Sequence, residues 1–348
     1  MSDIDLYLDG FKTELEKRNN LNINMDMDGC FSAAIMMLAY PDFKICGYND
    51  STVQYYTKKD LKRNSVVNLD FFCKSNKVMC IDNHINSVLP ANFPLKYNPN
   101  FARGVARDRY TNKYPFSTFV FLCAVFDHFN MLPDIDLDAE IDGTQIYDGH
   151  KIRLWQLMLR ADSILYNTMH YYKNAMDWWE WLVDISGKNG ITYKLYNKVM
   201  LFKKLCDKRG LDCKTESDNE NNYISAVFMA KYGTRKKDGF DSLCNGLFSF
   251  LYDIFTMCGV TPQFPRIDEL VLHTYRRMLY ESDDAHFFER LIADSRVLSY
   301  AFVFRNMISL NIRECNYYYF RNDPKMSANF YKSDAPVKSV DFNIPIIY

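Results

Sequence analysis

The chain has 348 residues, of which 48% are hydrophobic and 24% charged, and its formal net charge is -1. This composition is typical of a globular protein with room for two domains, and the near-zero charge disfavours a protein that grips long nucleic acid. The charged N-terminus and the lack of a run of about 20 apolar residues predict a cytoplasmic protein with no membrane partner. Ten singly spaced cysteines without a CxxC pair disfavour zinc and favour reduced thiols.

The first half of the chain alternates helices with short apolar strands. Apolar periodicity predicts helices over 2–17, 30–40 and 53–63, and strands over 21–25, 42–48, 65–71 and 77–84. Strands separated by helices favour an α/β fold with a mostly parallel sheet and flanking helices. In such a sheet ligands bind outside the carboxyl ends of the strands.

Acidic residues follow three of these predicted strands. Asp26 and Asp28 come after the first, Asp70 ends the third, and Asp82 with His84 ends the fourth. Aspartate is common where a strand turns into a loop, so any one of them has a structural explanation. Their recurrence at one edge of the sheet favours a shared metal site, because carboxylate oxygens are ligands of Mg²⁺ and Mn²⁺.

A calcium-binding EF-hand is the competing interpretation of the first acidic turn. Asn24, Asp26, Asp28 and Gly29 match positions 1, 3, 5 and 6 of its loop. Position 12 requires a bidentate glutamate, but it is Ile35, which lies in an apolar helical segment. This interpretation is therefore excluded.

The acidic segments resemble the motifs of the DHH phosphoesterase superfamily. The stretch DMDGCFSAA (26–34) resembles the first motif, NLDFF around Asp70 the second, and CIDNH (80–84) the signature Asp-His-His motif. The fourth motif contains a further aspartate, for which RADS (160–163) is the candidate. The resemblance covers roughly residues 20–185.

This resemblance implies a DHH-like domain that hydrolyses a phosphodiester or phosphoanhydride with two Mn²⁺ or Mg²⁺ ions. Asp26 and Asp28 would serve separate ions, Asp70 would bridge them, and Asp162 would complete one ligand shell. Asp82 would act as a catalytic residue and metal ligand, and His84 would face the substrate as an acid or orient its phosphate. The substrates implied are short oligonucleotides, cyclic dinucleotides, polyphosphate and pyrophosphate.

The chain departs from the family pattern at asparagine residues. Asn83 stands where the family has a metal-ligating histidine. Asn22 and Asn24 occupy the positions, shortly before the first aspartate pair, where many members have a further histidine. Asn83 would then be a weaker oxygen ligand, and an all-oxygen site would shift the preference from Mn²⁺ towards Mg²⁺. The alternative is a catalytically inactive descendant that binds nucleotides or another protein.

A basic and aromatic loop lies between the third and fourth motifs. Guanidinium and ammonium groups donate hydrogen bonds to phosphate oxygens, so the loop is predicted to bind the phosphates of the substrate. The alternative is a solvated loop that binds no ligand. The candidate residues are Arg103, Arg107, Arg109 and Lys113.

The second half carries weaker signals. The polar stretch DKRGLDCKTESDNENN (207–222) predicts a linker, which gives a DHH-like domain over 1–190, a helix and linker over 191–222, and a smaller mixed α/β domain over 223–348. Within that last domain we predict strands over 224–233 and 296–312 and helices over 239–259 and 267–294. The second half lacks the glycine-rich substrate-binding motif of many DHH enzymes, so the sequence does not distinguish among the four implied substrate classes. A homodimer is the candidate assembly.

Overall fold

The computed structural model describes residues 3–49, 54–58, 61–75, 77–89, 97–141, 151–232, 240–261, 270–295 and 297–313. The chain forms two compact units, each assembled from several stretches. The first unit draws its described residues from Met1–Asn24, Lys44–Tyr114 and Phe264–Ile346, and the second from Met25–Phe43 and Pro115–Gln263. The two units interleave along the chain, and the consecutive domain boundaries expected from the sequence stay a prediction.

The first unit contains a sheet of eight strands within the described residues, in the order β5-β4-β1-β2-β3-β6-β8-β7. The strands are β1 (Asn20–Asn24), β2 (Lys44–Asn49), β3 (Gln54–Lys58), β4 (Val66–Leu69), β5 (Met79–Ile81), β6 (Leu270–Glu281), β7 (Val297–Phe304) and β8 (Met307–Arg313). The helices of this unit are α1 (Asp3–Leu15), α3 (Pro99–Ala102) and α11 (Ala285–Ala293).

The four strands predicted from the first half are parallel neighbours, which confirms the α/β fold class. Every residue of β4 and β5 is buried. Parallel strands are usually covered on both faces and therefore have short, nearly continuous apolar sequences, such as VVNL and MCI here. That local signal makes these strands readable from sequence.

The antiparallel half of the sheet corrects two predictions. Gln54–Lys58, predicted within a helix, is β3 and pairs antiparallel with β2. Leu270–Glu281, also predicted within a helix, is β6 and pairs with β3 and β8. Both segments contain aromatic and β-branched residues, and the strand partners outweigh their helix-like spacing. The strands predicted over 296–312 are confirmed as β7 and β8.

The second unit is helical in its described residues. Its helices are α2 (Met27–Ala39), α4 (Thr118–His128), α5 (Leu154–Arg160), α6 (Ile164–His170), α7 (Tyr172–Ser186), α8 (Ile191–Arg209), α9 (Cys213–Tyr232) and α10 (Phe240–Met257). Among the helices of the described ranges, none combines the length and apolarity that crossing a membrane requires.

Helix α9 corrects the prediction of a polar linker followed by a strand. It runs through 213–222 and on through the apolar stretch at 224–232. Asp212 accepts hydrogen bonds from the Thr215 amide and hydroxyl at 3.1 and 2.7 Å, which satisfies donors of the first helical turn. Ile224, Phe228 and Tyr232 are buried at spacings of four residues. A single buried stripe stabilises a helix whose remaining surface is polar.

Two buried aspartates cap helices other than their own. Asp28 accepts the amides of Thr118 and Phe119 at the start of α4, at 2.6 and 3.0 Å, while the side chain of Ser117 makes no capping bond. Asp127 accepts the Thr192 amide at 2.9 Å at the start of α8. These carboxylates satisfy amide groups that a helix cannot pair internally.

Candidate metal centre

Strand pairing places Asp70 and Asp82 at equivalent positions in the first unit. Leu69 at the end of β4 pairs with Ile81 at the end of β5, and each aspartate is the next residue. The ladder extends one step further, because the Asp70 amide donates to the Ile81 carbonyl at 2.9 Å. The carboxyl ends of two parallel neighbours therefore hold two carboxylates side by side.

Asp70, Asp82 and His84 form what we call the acidic cluster. One possible ligand atom from each residue lies within 4.8 Å of the other two. The aspartates are only 3% and 1% exposed, whereas the His84 side chain is 48% exposed. Two buried carboxylates so close together repel each other, which favours a cation between them.

The His84 ring is oriented by its neighbour. Its Nδ1 lies 2.7 Å from Asp82 Oδ1, and because a carboxylate oxygen accepts, Nδ1 is the donor of this hydrogen bond. The His84 carbonyl accepts the Asn98 side-chain amide at 2.6 Å, and the Asn83 carbonyl accepts that of Asn100 at 2.7 Å. The DNH segment is thus held along its backbone as well as through a side chain.

Buried asparagine side chains of the first unit lie on the strands and loops that carry the acidic cluster, and we call them the amide shell. Asn24 Nδ2 donates to Asp70 Oδ2 at 3.0 Å, and Asn86 Nδ2 donates to Asp82 Oδ2 at 3.2 Å. Such outer hydrogen bonds orient carboxylate ligands in metal sites. The shell residues are no more than 4% exposed and comprise Asn22, Asn24, Asn49, Asn68, Asn86, Asn98 and Asn100.

The donor set of the acidic cluster fits a divalent cation. It combines two carboxylates with one imidazole, which are ligands that Mn²⁺, Mg²⁺ and Zn²⁺ sites use. The amides of Asn24 and Asn86 each hold one oxygen of a cluster carboxylate, as the outer partners of metal ligands do. Asn83 is 9% exposed and lies between two of the cluster residues.

The other three predicted aspartates line one cavity of the second unit. Asp26, Asp28 and Asp162 border a space of about 20 Å³ together with Arg160, Phe228 and Met229. Asp26 Oδ1 accepts the Gly29 amide at 2.9 Å and caps α2, while Asp28 caps α4. Carboxylate oxygens of Asp26 and Asp28 therefore already accept hydrogen bonds from backbone amides at the starts of helices, whatever else these side chains bind.

Backbone strain occurs at two predicted ligand positions. Asp70 has a φ of 61° and Asp162 one of 47°, and Ser163 follows with 56°. Residues other than glycine rarely adopt this left-handed region, and they often do so at functional sites. Asn130 and Ser163 share this conformation within the described residues, so the strain supports a role for the two aspartates without singling them out.

The predicted phosphate-binding residues of the loop have partners in the first unit. The Arg107 guanidinium donates to the carbonyls of Ser282 and Asp283 at 3.3 Å and lies 4.7 Å from the centre of the Phe288 ring. Burial lowers the pKa of Arg107. Arg109 donates to the Gly104 carbonyl, and Lys113 to the Tyr110 hydroxyl at 3.1 Å. These contacts pack Arg107 against the Phe288 segment, and phosphate binding by Arg103, Arg107, Arg109 and Lys113 stays a prediction.

Sequence reasoning overlooked two kinds of residue. Asn86 follows Asp82 by four positions and its amide reaches that carboxylate, but an isolated asparagine after a motif carries no distinctive signal. Arg160 is 7% exposed and borders the cavity of Asp26, Asp28 and Asp162, with its Nε donating to Ser225 Oγ at 2.6 Å. The signal in the sequence was that Arg160 belongs to the RADS segment. A buried arginine usually binds a carboxylate or a phosphate.

Asn86→Leu is expected to lower the affinity for Mn²⁺ about tenfold, because Asp82 loses the amide that orients it. The free energy of unfolding should fall by about 1–3 kcal/mol, since Asp82 Oδ2 and the Tyr300 carbonyl, at 3.2 and 3.0 Å, lose the amide that donates to both. Calorimetric titration with MnCl₂ and urea denaturation measure the two quantities.

Asn22→Leu is the matched control. Asn22 Nδ2 donates to Asn68 Oδ1 at 3.2 Å, in the shell but not to a cluster carboxylate. Asn22→Leu should lower the free energy of unfolding by an amount similar to that of Asn86→Leu and leave the affinity for Mn²⁺ unchanged. A folded Asn86→Leu variant that binds Mn²⁺ as tightly as the parent protein would refute the orienting role.

Comparison of the chain with protein-family models, curated proteins and solved structures finds no significant match.

Proposed function

We propose that the protein is a metal-dependent phosphohydrolase that cleaves a small phosphodiester or phosphoanhydride. The observation that carries the proposal is the acidic cluster, in which Asp70, Asp82 and His84 offer ligand atoms within 4.8 Å of one another beyond the ends of two parallel strands. Ligands bind at this edge of open α/β sheets. The motifs shared with DHH phosphoesterases support the same reaction class.

The proposal assigns roles to the three residues of the acidic cluster and to Asn83. Asp70 and Asp82 hold Mn²⁺ or Mg²⁺, and Asn83 contributes an amide oxygen. The bound cation supplies charge stabilisation for the attacking and leaving oxygens of an in-line displacement. His84, which is half exposed and oriented through Nδ1, positions the substrate phosphate or delivers a proton to the leaving oxygen.

The resemblance adds Asp26, Asp28 and Asp162 to the proposed ligands. Their common cavity and the strained backbone of Asp162 support a functional role for this second set. Its size, about 20 Å³, suits a single water molecule or ion rather than a phosphate group. We therefore propose cation binding for these three residues and substrate binding elsewhere.

A catalytically inactive protein that binds nucleotides or another protein is the second candidate. It is favoured by the capping bonds of Asp28, which give this carboxylate a structural reason to be buried. The amide of Asn83 in place of an imidazole ligand favours it as well. This candidate predicts a folded protein that binds its ligand without turnover.

Hydrolysis of a substrate panel tests the proposal. A short dinucleotide, cyclic dinucleotides, pyrophosphate, short polyphosphate and bis-p-nitrophenyl phosphate are incubated with the full chain and Mn²⁺ or Mg²⁺. We expect turnover of at least one, lost in Asp70→Ala because a ligand is removed. Metal content after purification in Mn²⁺ provides a second measurement. Absence of turnover and of bound metal in folded protein would contradict the proposal and favour the second candidate.

A further inference from the structure

Two cysteine thiols meet beside the acidic cluster in the first unit. Cys73 Sγ lies 3.8 Å from Cys80 Sγ, a van der Waals contact between sulfurs. Cys73 follows Asp70 by three residues, and Cys80 in β5 precedes Asp82 by two. Both cysteines are unpaired thiols, Cys80 buried and Cys73 partly exposed.

The surroundings of the pair distinguish its two sulfurs. Cys80 Sγ receives the Cys73 backbone amide at 3.4 Å and the Asn68 side-chain amide at 3.5 Å. The hydrogen bond from Cys80 lowers the pKa of Cys73, which favours the nucleophilic thiolate at the more accessible sulfur. An accessible attacking thiol next to a buried partner is the arrangement of a redox-active pair.

We propose that Cys73 and Cys80 are a site of oxidative modification at which a reversible disulfide forms. With a peroxide, the Cys73 thiolate attacks one oxygen and becomes a sulfenic acid as the other oxygen leaves as hydroxide, which is protonated to water. The Cys80 thiol then attacks the Cys73 sulfur and displaces the hydroxyl of the sulfenic acid as water, so the two thiols lose two electrons and two protons in total, which reduce the peroxide to two water molecules. A low-molecular-weight thiol restores the pair by disulfide exchange.

Closure of the disulfide changes the backbone on both sides of the acidic cluster. The sulfurs must approach from 3.8 Å to about 2.05 Å, and they lie on the segments that carry Asp70 and Asp82. We expect the affinity of the acidic cluster for Mn²⁺ to fall about tenfold, as it does when the orientation of metal ligands is disturbed. This regulatory part rests on the proposed function, whereas disulfide formation does not.

Peptide mapping tests the disulfide directly. The reduced full chain is treated with hydrogen peroxide or oxidised glutathione, blocked with iodoacetamide and digested with trypsin. Cleavage after Lys74 and Lys77 separates the two cysteines, so the disulfide joins two peptides and dithiothreitol releases them. Calorimetric titration with MnCl₂ is carried out before and after oxidation.

Variants identify the pair responsible. Cys73→Ser and Cys80→Ala should each abolish the linked peptide and keep Mn²⁺ affinity constant under oxidant. The matched control is Cys206→Ser with Cys213→Ser, two interacting thiols of the second unit that should not affect the linked peptide. A missing link between Cys73 and Cys80 overturns the inference whether or not the protein is an enzyme. A link with unchanged Mn²⁺ affinity overturns its regulatory part. Failure to bind Mn²⁺ in either state overturns the proposed function and the regulatory part with it, but leaves the disulfide intact.

Discussion

Asp82→Asn is expected to reduce hydrolysis about a thousandfold, which is the size of effect when a key electrostatic group of an active site is removed. Asp82 accepts bonds from His84 and Asn86 on its two oxygens, so it fixes the His84 ring and the DNH segment and is itself oriented by one amide. Asparagine keeps the shape but loses the charge that a cation requires. Initial rates with Mn²⁺ on the substrate identified by the panel measure the effect.

Asp127→Asn is the control for loss of a buried carboxylate. Asp127 is 9% exposed and caps α8 in the second unit, outside the proposed ligands. This variant should lose stability but retain its rate at a temperature where it is folded. If Asp82→Asn kept more than a tenth of the parent rate, Asp82 would not be a metal ligand of the reaction.

Asp28→Ala is expected to lower the free energy of unfolding by about 2–4 kcal/mol. The carboxylate is 1% exposed and accepts the amides of Thr118 and Phe119 and the Ser32 hydroxyl. Its removal leaves buried donors of α4 without their acceptor, and each such group costs about 1–3 kcal/mol. Urea denaturation without metal measures this cost.

Asp26→Ala separates helix capping from cation binding. Asp26 is less buried and caps α2 by accepting the Gly29 amide, so its loss should cost about 1 kcal/mol. If both aspartates also hold a cation, Mn²⁺ should stabilise the parent protein more than either variant, in which only the acidic cluster still binds it. If Mn²⁺ stabilised the parent protein, Asp26→Ala and Asp28→Ala equally, the two aspartates would cap helices without binding a cation.

The sequence by itself determined the parallel strands and the positions of the aspartates that follow them. The runs VVNL and MCI are short and mostly apolar, and NLNIN alternates polar with apolar residues; each of these is a local property that needs no tertiary information. Parallel pairing then brings Asp70 and Asp82 to one edge, since the strands run in the same direction. The acidic cluster is thus a consequence of pattern and topology.

The tertiary structure alone decided which partners each segment and side chain would have. Gln54–Lys58 and Leu270–Glu281 became strands because they pair with each other, and 213–222 became helical as part of α9, which buries residues further along the chain. Likewise, the capping role of Asp28, the packing of Arg107 and the meeting of Cys73 with Cys80 depend on contacts with residues that local sequence does not specify. Propensity and periodicity act over a few residues, whereas burial and hydrogen-bond partners are set by the whole fold.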